Sequence, residues 1–193
     1  GGHVSDKDHF VQAVRRSLPR RAGASSSAEG AHDGDDEYVL VAEEHFWEMR
    51  LLVFARRHVA SRVTNVECGR RGTGVGDRLG NKGGVVVTLR LHDTSLAFVA
   101  SHLEAFQHSV GGRNADFAAI VGGVSLGKKG ADLTSQFDHV FWCGDLNYRI
   151  DLPRPKVLAL AQANDWAAPR DFDQLTAERP GRRARGRCVE GPI

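Results

Sequence analysis

Gly144-Asp145-Leu146-Asn147-Tyr148-Arg149 follows directly on the apolar run Val140-Phe141-Trp142-Cys143. After a core strand, with Gly144 expected to supply the turn, three polar groups of different chemistry alternate with Leu146, Tyr148 and Ile150. In an extended segment Asp145 and Asn147, two residues apart, point to one side. A carboxylate there can take a proton from water, and an amide can donate a hydrogen bond to developing negative charge. Gly, Asp and Asn are equally the residues of a plain surface turn, so both readings stand on composition.

Two further clusters carry chemistry. Ser101-His102 closes the strand-like run 95–100, so His102 emerges at a strand end. A lone His is more often a structural hydrogen-bonder, but two strands that each end in polar residues shift that balance, because sites in layered α/β proteins gather at strand ends. In Leu79-Gly80-Asn81-Lys82-Gly83-Gly84-Val85 the glycines let the backbone approach a ligand, free N–H groups suit phosphate, and Lys82 adds positive charge. The spacing is not that of a P-loop, and a turn entering the strand from Val85 is the plainer reading.

These clusters need elements to hold them. Residues 6–18 place Phe10, Val11, Val14 and Leu18 at helical spacing, with Arg15 and Arg16 at the end and Pro19 as a stop. Residues 19–36 are small, polar and rich in Gly and Ser, a flexible loop. Strand-like runs follow at 38–45, 48–57 and 58–69, the middle one with the continuous apolar stretch 51–55 of a strand covered on both faces. Two strands flank the turn at His92-Asp93-Thr94, as in a hairpin. Residues 113–126 read as a helix, weakened by Gly122 and Gly123. A strand over 138–143 and a helix within 154–165 complete the pattern. This mixture suggests layered sheets with helices outside.

The chain has 193 residues, 41% of them hydrophobic and 26% charged, enough for one domain with a real core. A net charge of +2 gives no case for a nucleic-acid partner. Cys68, Cys143 and Cys188 form no Cys-x-x-Cys pair, so neither a zinc site nor a disulfide framework is expected, and Cys143 reads as a packed core residue. No apolar run approaches the ~18 residues of a membrane span. Cysteine usage fits a cytoplasmic protein.

In order and spacing, 79–85, the hairpin closing at 101–105, Arg113-Asn114 and 137–150 resemble the inositol polyphosphate 5-phosphatases. The runs 48–56, 171–179 and 190–193 fit as well. The resemblance implies a four-layer α/β sandwich of the DNase I-like endonuclease/exonuclease/phosphatase type, here cut short at both ends. It implies Mg²⁺-dependent removal of the 5-phosphate from inositol phosphates or phosphoinositides. Carried over, Asp145 activates the water, Asn147 holds the phosphoryl oxygens, and His102 contacts the scissile phosphate. Asn81 and Lys82 lie near the substrate phosphates, while Arg113, Asn114 and Arg149 support the site from behind.

The chain also departs from the family. The Gln-Glu pair holding the principal metal ligand would fall at or near Gly1-Gly2, and the earlier metal-binding Asn lies upstream. The downstream Trp-x-Asp-Arg and Ser-Asp-His segments do not occur. Which residues of this chain hold metal is therefore unknown, and 1–193 is expected to be a partial catalytic domain with little or no activity, an uncovered sheet edge and poor solubility. Gly111 and Gly112 are expected to soften the start of the helix near 113. The rival readings are a nuclease or sphingomyelinase of the same superfamily and a non-catalytic module binding phosphoinositides or a protein. The arginine-rich loop 179–188 reads as solvated, with peripheral contact to an anionic membrane at the cytosolic face as the alternative.

Overall fold

The structure is a computed structural model that describes residues 6–19, 37–74 and 81–178. Nearly all of the expected loop 19–36, and the basic loop 179–188 as a whole, fall outside them. The elements run α1 (Asp6–Ser17), β1 (Tyr38–Phe46), β2 (Met49–Arg56), the single turn α2 (Arg57–Ala60), β3 (Val63–Gly72), β4 (Gly83–Leu91) and β5 (Thr94–His102). Then come α3 (Val110–Gly123), α4 (Leu133–Gln136), β6 (His139–Asp145), α5 (Arg154–Gln162), α6 (Ala167–Arg170) and α7 (Gln174–Glu178).

Strands β1 and β2 form an antiparallel ribbon, and the other four form a sheet in the order β3-β4-β5-β6. All its pairings are antiparallel except β5 with β6, which run parallel across the α3–α4 crossover. One face of the sheet presents Val86, Ala97, Val99, Val140 and Trp142 to Ile120, Val124 and Leu133 of the helical layer. The other presents Val85, Val87 and Leu89, also buried, on the side where β1 and β2 pack against β4. Outside the ribbon lies α1, where Arg15 Nε donates to Tyr38 O at 3.0 Å and the Arg50 guanidinium sits 5.0 Å above the Phe10 ring. Helix, ribbon, sheet and helix are the four layers expected. Full burial of each core aliphatic side chain stabilises by about 1.5–3 kcal/mol.

Four local expectations change. The strand buried on both faces is β4, not 51–55: β2 is half-buried along most of its length. Residues 57–60 form a helical turn before β3 begins. Helix α3 starts at Val110, through both glycines, because the buried Arg113 anchors its first turn. Strand β6 continues through Gly144 to Asp145, so Gly144 does not end it. Among the described residues β6 is an outer strand, and its second face is open: Phe141 is 54% exposed, stacked on Phe98, and Cys143 is exposed rather than packed in the core.

Candidate active site

One row of backbone pairs crosses the sheet at its end. Gly72 stands opposite Gly83, Gly83 opposite His102, and His102 opposite Asp145. The antiparallel β4–β5 pair places the start of β4 beside the end of β5, and the parallel β5–β6 pair brings two carboxyl-terminal ends to the same edge. Lys82, His102 and Asp145 therefore meet although they lie far apart in sequence. The row also needs its glycines. Gly83 and Gly144 have φ of +146° and +116°, and a Cβ on either would come within 2.2 Å of a backbone oxygen, that of Arg71 or Ser101.

Lys82 Nζ lies 2.5 Å from His102 Nε2. An ammonium has donors only, so Nε2 accepts and the ring carries its hydrogen on Nδ1 while that contact lasts. Asp145 Oδ2 stands 3.6 Å from the same Nε2, beyond hydrogen-bond length, and the Asp145 side chain is 63% exposed. Its other oxygen accepts from the Asn147 backbone N–H at 3.1 Å. The imidazole thus sits between a cation and an accessible carboxylate. Asn81 is exposed immediately before Lys82.

Asn147 does not share a side with Asp145. Its φ is +56°, so the backbone turns at that residue and the amide is buried while the carboxylate stays open. Asn is one of the few residues that adopts this conformation at little strain. The amide orientation follows from chemistry: Nδ2 donates to Leu103 O at 2.9 Å, and Oδ1 accepts from Arg149 Nη2. One Nδ2 hydrogen is left over.

Behind this row lies Arg113, fully buried. Its guanidinium donates to Glu104 O at 3.2 Å, Phe106 O at 2.7 Å and Gln174 Oε1 at 2.6 Å, and lies 5.1 Å from the Tyr148 ring centroid. All three acceptors are neutral, and Nε finds no partner among the described residues. Asn114 points elsewhere, receiving the Tyr148 hydroxyl at 2.5 Å and donating to Glu178 at 2.8 Å. Among the described residues the side-chain hydrogen bond that ties it to the segment after Asp145 is the one from Tyr148.

Sequence reasoning passed over Asp116 and Gln174. Asp116 Oδ2 accepts from Glu104 N at 2.7 Å, two residues past His102, and burial pushes its carboxyl above the ordinary range. Gln174 lies within the run 171–179, but nothing local distinguishes its amide from a surface glutamine.

For a divalent cation the donor set is incomplete. Among the described residues no three His, Cys, Asp or Glu side chains converge as a cage. The Asn147 carbonyl oxygen is turned toward Arg149, which leaves Asp145 as a carboxylate open to a metal. The residues do not by themselves fit a metal centre.

The chain matches Endonuclease/Exonuclease/phosphatase family 2 over residues 6–193. Phosphatidylinositol 3,4,5-trisphosphate 5-phosphatase 2B of Danio rerio is 38% identical over 151 residues, 77% of this chain and 12% of that protein. Human synaptojanin-1 is 39% identical over 159 residues, 82% of this chain and 10% of that protein. Type I inositol polyphosphate 5-phosphatase 5 of Arabidopsis thaliana is 33% identical over 169 residues, 83% of this chain and 32% of that protein. The chain thus spans about a tenth of the length of the first two. A crystal structure of the inositol polyphosphate 5-phosphatase domain of SPsynaptojanin, in complex with inositol (1,4)-bisphosphate and calcium ion, superposes with a TM-score of 0.67. It is 30% identical, over 73% of this chain and 40% of that one. Cimex nitrophorin, 19% identical with a TM-score of 0.54, shares the fold alone.

Proposed function

The chain belongs to Endonuclease/Exonuclease/phosphatase family 2, and from that premise we propose that it acts in hydrolysing the 5-phosphate of inositol polyphosphates or phosphoinositides. The observation that carries this reading is the meeting of Lys82, His102 and Asp145 at one sheet end, in a chain resembling enzymes named for that reaction.

Hydrolysis of a phosphomonoester is chiefly a matter of positioning a water in line and stabilising charge on the phosphoryl oxygens. The exposed Asp145 oxygen can accept the proton of an attacking water. Lys82 and His102 stand where two donors would meet the phosphoryl oxygens, and the spare Nδ2 hydrogen of Asn147 is a third. A phosphate drawing Lys82 Nζ away would free Nε2 from its present donor, so that the ring could turn a hydrogen toward the substrate. Arg149 holds the Asn147 amide in the donating orientation.

The Mg²⁺ dependence implied by the resemblance belongs to the same reading. Mg²⁺ keeps several of its waters and takes only one or two carboxylates, so the dependence is a matter for the longer protein and not for the donor set of the described residues.

The test is phosphate release from a soluble inositol polyphosphate with Mg²⁺, measured on the 193-residue chain and on the longest natural form of the protein. Turnover by the longer form, abolished when Asp145 is replaced, supports the reading. Binding of the inositol phosphate without turnover in either form favours a non-catalytic module, and cleavage of DNA instead favours the nuclease.

A further inference from the structure

We propose that Gln174 is a positioning residue that locks together the two loops carrying the site and thereby fixes the Asn147 amide; this rests on the phosphatase reading above. Gln174 is 4% exposed, and its side chain makes four hydrogen bonds. Oε1 accepts from Arg113 Nη2 at 2.6 Å and from Arg149 N at 2.9 Å. Nε2 donates to Gln107 O at 2.9 Å and to Asp151 Oδ1 at 2.7 Å. Two donors face the oxygen and two acceptors face the nitrogen, so only one orientation of the amide satisfies the site.

Three of those partners lie on the two segments that leave the row, and the fourth, Arg113 of α3, holds one of these segments by its carbonyls. Gln107, and the Glu104 and Phe106 carbonyls held by Arg113, lie on the segment after His102. Arg149 and Asp151 lie on the segment after Asp145. The backbone reinforces the same clasp, with Gln174 N donating to Arg149 O at 3.0 Å and Asp151 N to Phe172 O at 2.8 Å. Once the Arg149 backbone is held, its guanidinium reaches back to Asn147 Oδ1 and leaves Nδ2 for Leu103 O and for substrate. Gln174 itself touches none of the groups that would meet the phosphate. Its effect travels through Arg149 and Arg113.

Gln174→Met and Gln174→Glu separate this role from simple packing. Met keeps the length and removes every side-chain hydrogen bond, whereas Glu keeps the two accepting contacts to Arg113 and Arg149 but sets its second oxygen against the Gln107 and Asp151 oxygens. In the longest natural form of the protein, with soluble inositol polyphosphate as probe, Met is expected to lower kcat about 10- to 100-fold with KM within about threefold, the range typical when a group orienting a reactive side chain is lost. Glu, whose second oxygen repels the Asp151 carboxylate, is expected to lower kcat over the same range. The second measurement is the Asn147 side-chain amide signal by NMR, which needs no turnover. It should shift and lose exchange protection with both variants. The inference is overturned by a folded Met variant of unchanged kcat, or by Asn147 signals that do not respond to either substitution. Should Met not fold, the Asn147 signals of the Glu variant decide. Absence of turnover in the unsubstituted protein sinks the phosphatase reading, while the NMR arm still judges the positioning.

Discussion

Asp145 faces His102 across the parallel β5–β6 ladder, and its Oδ2 lies 3.6 Å from the imidazole Nε2. The pair is exposed on the acidic side and half-buried on the other, the geometry of a reacting group rather than of a structural ion pair. An exposed pair contributes at most about 1 kcal/mol to folding. Asp145→Asn and His102→Ala should therefore each lower turnover of soluble inositol polyphosphate by about 10²- to 10³-fold while leaving Tm nearly unchanged. Rate and thermal unfolding measured side by side check this. A matched fall in Tm, or an unaltered rate, removes the assignment.

Glycine substitutions should change sign with position. At Gly144 a new Cβ would lie 2.2 Å from Ser101 O in a backbone with φ of +116°, so Gly144→Ala should cost about 2–4 kcal/mol. At Gly122, within α3, a Cβ meets nothing within 4 Å, so Gly122→Ala should stabilise by about 0.5–1 kcal/mol. Urea denaturation of the two variants gives both numbers.

Arg113→Lys should behave as a severe change. A lysine presents a point charge and cannot reach the Glu104, Phe106 and Gln174 oxygens as a planar fork does. Buried acceptors would be left without donors, at about 1–3 kcal/mol each. The expected outcome is a loss of roughly 2–4 kcal/mol in chemical unfolding; a loss below half a kcal/mol would count against the clasp.

The pH dependence contains two opposed contributions. Asp138 takes hydrogen bonds from Ser95 N and Ser95 Oγ, both at 2.7 Å, which hold its carboxyl below the ordinary range. That stability is present above the ordinary carboxylate pKa and is lost as pH falls toward the lowered folded value. For Asp116 burial raises the folded value, so the folded state holds the proton longer and stability declines as pH rises from the ordinary value through the raised one. Asp138→Asn should flatten the acid limb of a urea-midpoint curve. Asp116→Asn, which keeps an acceptor for Glu104 N, should flatten the decline above it. Unchanged curves would contradict both.

Much of this was readable in the chain. Apolar runs on either side of His92-Asp93-Thr94 marked the β4–β5 hairpin, and polar residues at the ends of two apolar runs marked His102 and Asp145. The resemblance then placed Lys82 with them. Three things were not readable. A period-of-two pattern cannot register the left-handed turn at Asn147, so sequence alone puts Asn147 on the same side as Asp145. Nor does local sequence reveal that Gln174 reaches Arg113, since that link exists only once α3 and α7 have docked. The continuous apolar run 51–55 likewise reads as a strand covered on both faces, although enclosure is decided by which layers lie on either side, and those favour β4.

The parallel pairing of β5 with β6 also has a consequence in time. A hairpin such as β4–β5 closes within microseconds, because its contacts are local in sequence. Its parallel neighbour must wait until the α3–α4 crossover has been threaded back over the sheet, a longer loop to close. Lys82 and His102 are therefore expected to come into register in refolding before β6 brings Asp145 to them. The indole of Trp142, bonded to Ser101 Oγ at 2.8 Å across that seam, is a natural optical clock for the moment the three groups first stand together.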